Sequence, residues 1–214
     1  MSDEKKLKEF WTNNISKNWC HFHDDMPEGK TQKTIRLFRE HLIEQLKSEF
    51  SLNALDWGCG GGVLAKEISQ NNKVILLDIS KRSLLEAERY SGIKTNSILL
   101  SEPIDSFKIF LNNIDLIYCY SVIQHFPSYN YWKKVSKVWI EISPKYIAGR
   151  TKFSDRVIET GDYYKSSKNF LNALILSKED LLKTFPQYNL KYWYEENNKK
   201  HPYNDGFFIL EKRK

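Results

Sequence analysis

The sequence predicts a doubly wound α/β fold, with a mostly parallel sheet closed by an antiparallel C-terminal hairpin. Three observations predict it. From residue 52 onward, short apolar runs alternate with helical stretches. The first run ends in a glycine-rich loop, LDWGCGGG, that leads into a helix. The last two runs are separated only by the polar segment NNKKHPYND, so they pair as a hairpin. Continuous apolar strands with helices between them belong to a parallel sheet covered on both faces.

The elements follow in order. Residues 3–11 read as a short helix and 12–29, without periodicity, as a loop. Residues 30–49 are helical, with Ile35, Leu37, Phe38, Leu42, Ile43 and Leu46 as the apolar stripe. Residues 52–57 form a strand and 63–70 a helix. KVILLD at 73–78 is a buried strand closed by an acid, and Ser80 caps the next helix. Strands follow at 96–101 and 114–120, then an aromatic-rich helix at 129–142 and a strand at 145–150. Residues 154–175 read as an irregular insertion carrying Tyr163 and Tyr164. Ser177 caps a helix, with Asp180 at the capping-box position. The hairpin strands lie near 188–196 and 206–211. The chain divides into a helical cap or lid at 1–50 and a core at 51–214 that contains the insertion.

Composition narrows the class. A chain of 214 residues fits one domain. Its size allows roughly 70% of the unfolded surface to be buried, so no disulfide is needed. Cys20, Cys59 and Cys119 are an odd number without CxxC spacing, which points to reduced thiols in a cytoplasmic protein. No apolar run approaches the ~20 residues that span a bilayer, and MSDEKKLKEF has no signal-peptide core. The net charge of +6 is spread along the chain, which argues against a nucleic-acid partner, because that binding needs clustered cations. Six Trp and twelve Tyr exceed what a small core easily hides, so some are expected to line a pocket.

The glycine loop carries the chemistry. Read as G-x-G-x-x-G from Gly58, the pattern fails at Val63. No Gly-Lys-Ser/Thr follows, so it is not a phosphate loop either. Read as acid-x-G-x-G-x-G, it fits at Asp56, Gly58, Gly60 and Gly62. A carboxylate there repels a pyrophosphate and attracts an ammonium or sulfonium. Glycines without Cβ let such a ligand lie against the backbone. Asp78 ends the second strand, about 20 residues on, where an acid binds ribose hydroxyls in nucleotide folds.

At these residues the chain resembles the class I S-adenosylmethionine-dependent methyltransferases. ALDWGCGGGVLAKEI resembles their first motif and VILLDIS their second-strand acid motif. SILLSEPI is similar to the segment beside adenine, and IDLIYCYSVIQHFP to the fourth-strand motif with its trailing His. EFWTNNISKNW resembles the aromatic lead-in that closes over the cofactor. The resemblance implies a Rossmann-like seven-stranded sheet with its last strand antiparallel. It implies S-adenosylmethionine as cofactor and S-adenosylhomocysteine as product.

It also implies roles by position. Asp56 holds the methionine ammonium, while Gly58, Cys59 and Gly60 pass beneath the methionine part. Asp78 binds ribose, with Ile79 against adenine. Ser101 and Glu102 lie at the adenine edge, in place of a common Asp. Tyr118, Cys119, Tyr120 and Ser121 line the methionine side, and Trp11 covers it.

Methyl transfer to an alcohol needs positioning and a base. His125, after the fourth strand, is one candidate, and local backbone capping is its other reading. His21 and His23, beside Asp24 and Asp25, are further candidates. They read as a polar lid loop rather than a metal site, since no further ligand pattern follows. Nucleobase amino-methyltransferases carry a Pro-Pro motif where this chain has YCYS. A metal-dependent catechol type needs more acids than Asp115 around the fourth strand. The expected enzyme is metal-independent and methylates a small polar metabolite, O-directed, such as a sugar or nucleotide-sugar. Asp24, Tyr163 and Tyr164 are expected to meet the acceptor. N-methylation, an RNA or protein acceptor, or a catalytically inactive cofactor-binding protein are the alternatives. A monomer or homodimer is expected.

Overall fold

The computed structural model describes residues 5, 7–9, 11–12, 28–49, 51–93, 97–100, 113–159, 174–196 and 203–214. Helix α1 spans Glu28–Phe38, then widens into a π turn at Arg39–Ile43 and tightens into a 3-10 turn at Glu44–Leu46. The alternating region gives β1 (Asn53–Trp57), α2 (Val63–Ile68), β2 (Lys73–Asp78), α3 (Lys81–Ser91) and β3 (Ser97–Leu99). Next come β4 (Leu116–Tyr120), a 3-10 turn at Ile123–His125, α4 (Tyr129–Ile142) and β5 (Tyr146–Ser154). The chain closes with β6 (Ile158–Glu159), β7 (Leu174–Ser177), α5 (Lys178–Thr184), β8 (Tyr188–Glu196) and β9 (Asn204–Lys212).

Strands β3, β2, β1, β4 and β5 lie side by side, all parallel. β9 pairs antiparallel with β5 from Tyr146↔Glu211 to Phe153↔Asn204. β8 then pairs antiparallel with β9 on the outer edge. Seven strands thus make the expected doubly wound sheet. The irregular insertion expected at 154–175 is in part regular. β5 runs on to Ser154, and β6 pairs antiparallel with β7. β7 joins β5 in parallel at Phe153 and Ser154, past the point where β4 ends. The apolar sequence LILS explains this, since all four of its residues are buried.

Local signals set the helix ends. Ser80, Ser128 and Ser177 each accept a backbone N–H at the start of α3, α4 and α5. Asp180 does not turn back to its cap, because its carboxyl accepts from the Tyr129 hydroxyl at 2.5 Å. Gly92 ends α3 at φ 79°.

The core has two layers. Under α4 and α5, Trp57, Trp132, Trp139 and Phe185 pack edge to face at 5.5–5.8 Å. Half of the tryptophans are therefore structural, not pocket-lining. On the other face, α1 lays Phe38 over Tyr118 and Tyr120 at 5.7 and 5.9 Å. The π turn aims His41 at the sheet, where Nδ1 meets the Tyr192 hydroxyl at 2.7 Å and the ring stacks on Tyr194 at 4.3 Å. α1 is thereby docked beside the carboxyl ends of β1, β4 and β5.

Candidate functional site

The loop between β1 and α2 is built from backbone constraints. Gly58, Gly60 and Gly62 have φ of +82°, +52° and +78°, a region that costs L side chains. The N–H groups of Gly58 and Cys59 both donate to Leu77 O, at 2.7 and 3.0 Å, fastening the loop to β2. A Cβ on Gly62 would lie 2.7 Å from Ala87 Cα, so this glycine lets α2 and α3 close together. A Cβ on Gly58 would strike Val122 Cγ2 at 2.6 Å, so the loop packs directly on the segment after β4. A Cβ on Gly60 would meet nothing within 4 Å. The middle glycine alone of these three faces open space.

Two buried acids flank the loop. Asp78 is 7% exposed; its Oδ2 accepts from Gly60 N at 3.0 Å and its Oδ1 from Ser80 N at 2.9 Å. Burial raises its pKa to about 6 against those hydrogen bonds. Asp56 is 3% exposed, and burial pushes its pKa up to about 8, with the negative charge of Asp78 adding to the rise. The buried Tyr118 hydroxyl lies beside Asp56 but closes no hydrogen bond of ordinary length among the described residues. The site therefore holds an excess of buried acid, which a cation would relieve.

Strand alternation divides the fourth-strand residues. Tyr118 and Tyr120 face α1. Cys119 faces the opposite layer, fully buried with Trp57 and Ile147. Successive residues of the strand point to opposite faces, so Tyr118 and Tyr120 share one side and Cys119 takes the other. Ile79 is half-buried against that same layer. His125 sits on the 3-10 turn, and its ring meets the edge of Trp11 at 5.2 Å. Trp11 and His125 are thus brought together. Burial, then the positive charge of Lys152, lowers the His125 pKa to about 4, so the ring is neutral. His21, His23, Asp24, Ser101, Glu102, Tyr163 and Tyr164 lie outside the described residues. Among the described residues, no cluster of three or more His, Cys, Asp or Glu is placed to hold a metal ion.

Sequence reasoning missed one group. Arg150 and Lys152 on β5 both reach Asp205 Oδ1 on β9, at 2.6 and 2.7 Å. Arg150 also donates to Ser121 Oγ at 2.5 Å. The signal was present in KYIAGRTKF, where cations alternate in a strand that starts fully apolar. The open depression lined by Ser51 and residues 69–73 lies at the other end of the sheet, where β2 begins.

A family model for the methyltransferase domain matches residues 54–142, from β1 through α4. That stretch, which contains the glycine loop and both buried acids, thus matches the methyltransferase domain family. The chain is similar in structure to the magnesium protoporphyrin IX methyltransferase of Synechocystis, solved with bound S-adenosylmethionine. That match has a TM-score of 0.66 and 14% identity, over 100% of this chain and 98% of the other. It is similar to the N-methyltransferase NodS of Bradyrhizobium japonicum, solved with S-adenosylhomocysteine, with a TM-score of 0.66 and 12% identity over 98% of this chain and all of the other. A methyltransferase from Anabaena variabilis aligns over 100% of this chain and 96% of its own, at a TM-score of 0.63 and 18% identity. At these identities the likeness carries the fold alone. No curated protein matches the sequence significantly.

Proposed function

We propose that this methyltransferase transfers the methyl group of S-adenosylmethionine to a hydroxyl of a small polar metabolite. The observation that carries the O-directed reading is the neutral His125, held against Trp11 at the carboxyl ends of the strands. Ligands of doubly wound sheets bind in that place.

The residues present fit the cofactor. Gly60 leaves open space beside the loop, and two buried acids, Asp56 and Asp78, flank it. S-adenosylmethionine supplies a methyl group on a positively charged sulfur, which departs as the neutral thioether S-adenosylhomocysteine. Asp56 pairs with the ammonium and gives up its proton when that charge arrives. Asp78 keeps its bonds to Gly60 and Ser80 and uses its remaining lone pairs for the ribose hydroxyls. Ile79, Ser101 and Glu102 flank adenine. Tyr120 borders the methionine side, and Trp11 closes over it. His125 accepts the hydrogen bond of the acceptor hydroxyl, which fixes the oxygen for in-line attack, and takes the proton as the C–O bond forms.

Residues 1–50 form the cap, and the insertion with β6 and β7 walls the acceptor side, with Tyr163, Tyr164, Asp24, His21 and His23 as its polar lining. Among the described residues no helix is long and apolar enough to cross a membrane. We place the protein in the cytoplasm as a monomer or homodimer.

A screen of metabolite fractions for transfer of labelled methyl tests this reading. A labelled small molecule, with turnover unaffected by EDTA, is the expected result. Label in RNA or protein would replace the acceptor class, and loss of turnover restored by a divalent ion would revive a metal role for His21 and His23. Failure of both cofactor and product to bind in a titration would end the reading.

A further inference from the structure

The group formed by Arg150, Lys152, Asp205 and Ser121 stands where β4, β5 and β9 reach their site end. It adjoins the donor loop through a continuous chain of contacts. Gly58 packs on Val122, and Ser121 precedes Val122. The Ser121 N–H donates to Arg150 O at 2.7 Å, and the Arg150 guanidinium donates to Ser121 Oγ. Ser121 holds φ of +59°, a strained conformation for serine. Lys152 lies close enough to His125 to disfavour its protonated form.

Among the described residues the charges do not balance. Two cations share one oxygen of one carboxylate. Their side chains are 19% and 15% exposed, and that of Asp205 is 16% exposed. Glu196 opposes Asp205 in the β8–β9 register, but it is solvent-exposed. Glu195 accepts from Asn204 instead. The Arg150 Nε is buried and makes no hydrogen bond among the described residues. An orphaned donor of this kind in a partly dry site is costly unless something arrives to accept from it.

The guanidinium is also held rigid. It lies over the rings of Tyr120 and Phe207, at 5.4 and 5.8 Å. A planar fork fixed in this way is organised in advance for a planar or tetrahedral anion.

We propose that Arg150 and Lys152 form the acceptor-side anion site, so that the methylated metabolite carries a carboxylate or phosphate group near the reacting hydroxyl. This rests on the methyltransferase reading and narrows its substrate class. Asp205 sets the strength of the site by holding both cations in place and cancelling one of them. The glycine-rich loop handles the donor, and β5 with β9 handles the charge of the acceptor.

The test titrates the full chain, saturated with S-adenosylhomocysteine, with inorganic phosphate and separately with acetate, at ionic strength balanced by chloride. Stronger heat from phosphate or from acetate tells which anion the site takes. Lys152→Met makes the cluster neutral without leaving Asp205 unpaired, and about ten-fold weaker anion binding is expected, the loss typical of a charged hydrogen bond. Asp205→Asn frees both cations, and tighter anion binding is expected. A merely structural ion cluster would give the opposite for Asp205→Asn, since it would only loosen the fold. The proposal is overturned if neither anion binds above the chloride control, if Lys152→Met leaves binding unchanged, or if a folded Asp205→Asn protein binds the anion more weakly. Should Asp205→Asn fail to fold, the Lys152→Met comparison decides alone. The product titration is read separately, so loss of S-adenosylhomocysteine binding in the unaltered chain refutes the methyltransferase reading rather than the anion site.

Discussion

Alanine at Gly62 and alanine at Gly60 are the same chemical change two residues apart, and the structure expects opposite consequences. Both positions have positive φ, which costs an L residue about 1–2 kcal/mol. Removing a glycine returns roughly 0.4–1 kcal/mol by restricting the unfolded chain. At Gly60 nothing else enters, because the new methyl meets no atom within 4 Å. Gly60→Ala should therefore lose only about 1 kcal/mol of stability. At Gly62 the methyl lies 2.7 Å from Ala87 Cα and 2.9 Å from Ala87 O. Backbone atoms cannot rotate away, so α2 and α3 must separate, at a further ~1–3 kcal/mol typical of overpacking. Gly62→Ala should lose about 2–4 kcal/mol, a large part of a typical 5–15 kcal/mol. Urea denaturation measures both. Binding reverses the order: the Gly60 methyl occupies the space proposed for the cofactor, so S-adenosylhomocysteine should bind at least about ten-fold more weakly to Gly60→Ala, or ~1.4 kcal/mol. A Gly60→Ala protein that binds like the unaltered chain, or a Gly62→Ala protein within 1 kcal/mol of it, would refute the assignment of ligand space and packing space to these two glycines.

Cofactor affinity should rise with pH up to about 8, because Asp56 holds a proton in the ligand-free protein and must ionise to meet an ammonium; Asp56→Asn should flatten that profile in titrations at several pH values. Stability without ligand should move the other way. Asp56 is raised to about 8 and Asp78 to about 6, so both favour the fold fully below pH ~4 and lose that contribution as pH climbs to those values. Melting temperatures that rise across this window would contradict the buried-acid account. Asp78→Ala removes the acceptor of Gly60 N and should weaken cofactor binding by about 1–3 kcal/mol, read by calorimetry; unchanged affinity would exclude its ribose role. His125→Gln should slow turnover on an identified hydroxyl acceptor while leaving product binding intact, and full activity would remove it as the proton acceptor.

Legibility followed range. The caps at Ser80 and Ser177 and the strand at 73–78 rest on neighbours within a few residues, and their sequence signals are direct. The β6–β7 pair was hidden because a two-residue strand has no periodicity to read. The order YCY marks a strand end without saying which layer each side chain enters, and only the packing puts Cys119 opposite Tyr118 and Tyr120. The count of aromatics does not say which are core, and only the packing of α4 and α5 buries Trp132 and Trp139 completely.

The sequence by itself determined the donor chemistry. Gly58, Gly60 and Gly62, with Asp56 before them, form a pattern within a few adjacent residues, and it already distinguishes a cation-binding loop from a phosphate cradle. The tertiary structure alone decided which glycine packs and which faces the ligand, since that depends on Val122 and Ala87 arriving from other elements. It also decided that Arg150 and Lys152 share Asp205, whose side chain comes from 53 residues beyond Lys152. Only the antiparallel register of β5 and β9 brings those charges onto one face, and no local pattern along the chain encodes that register.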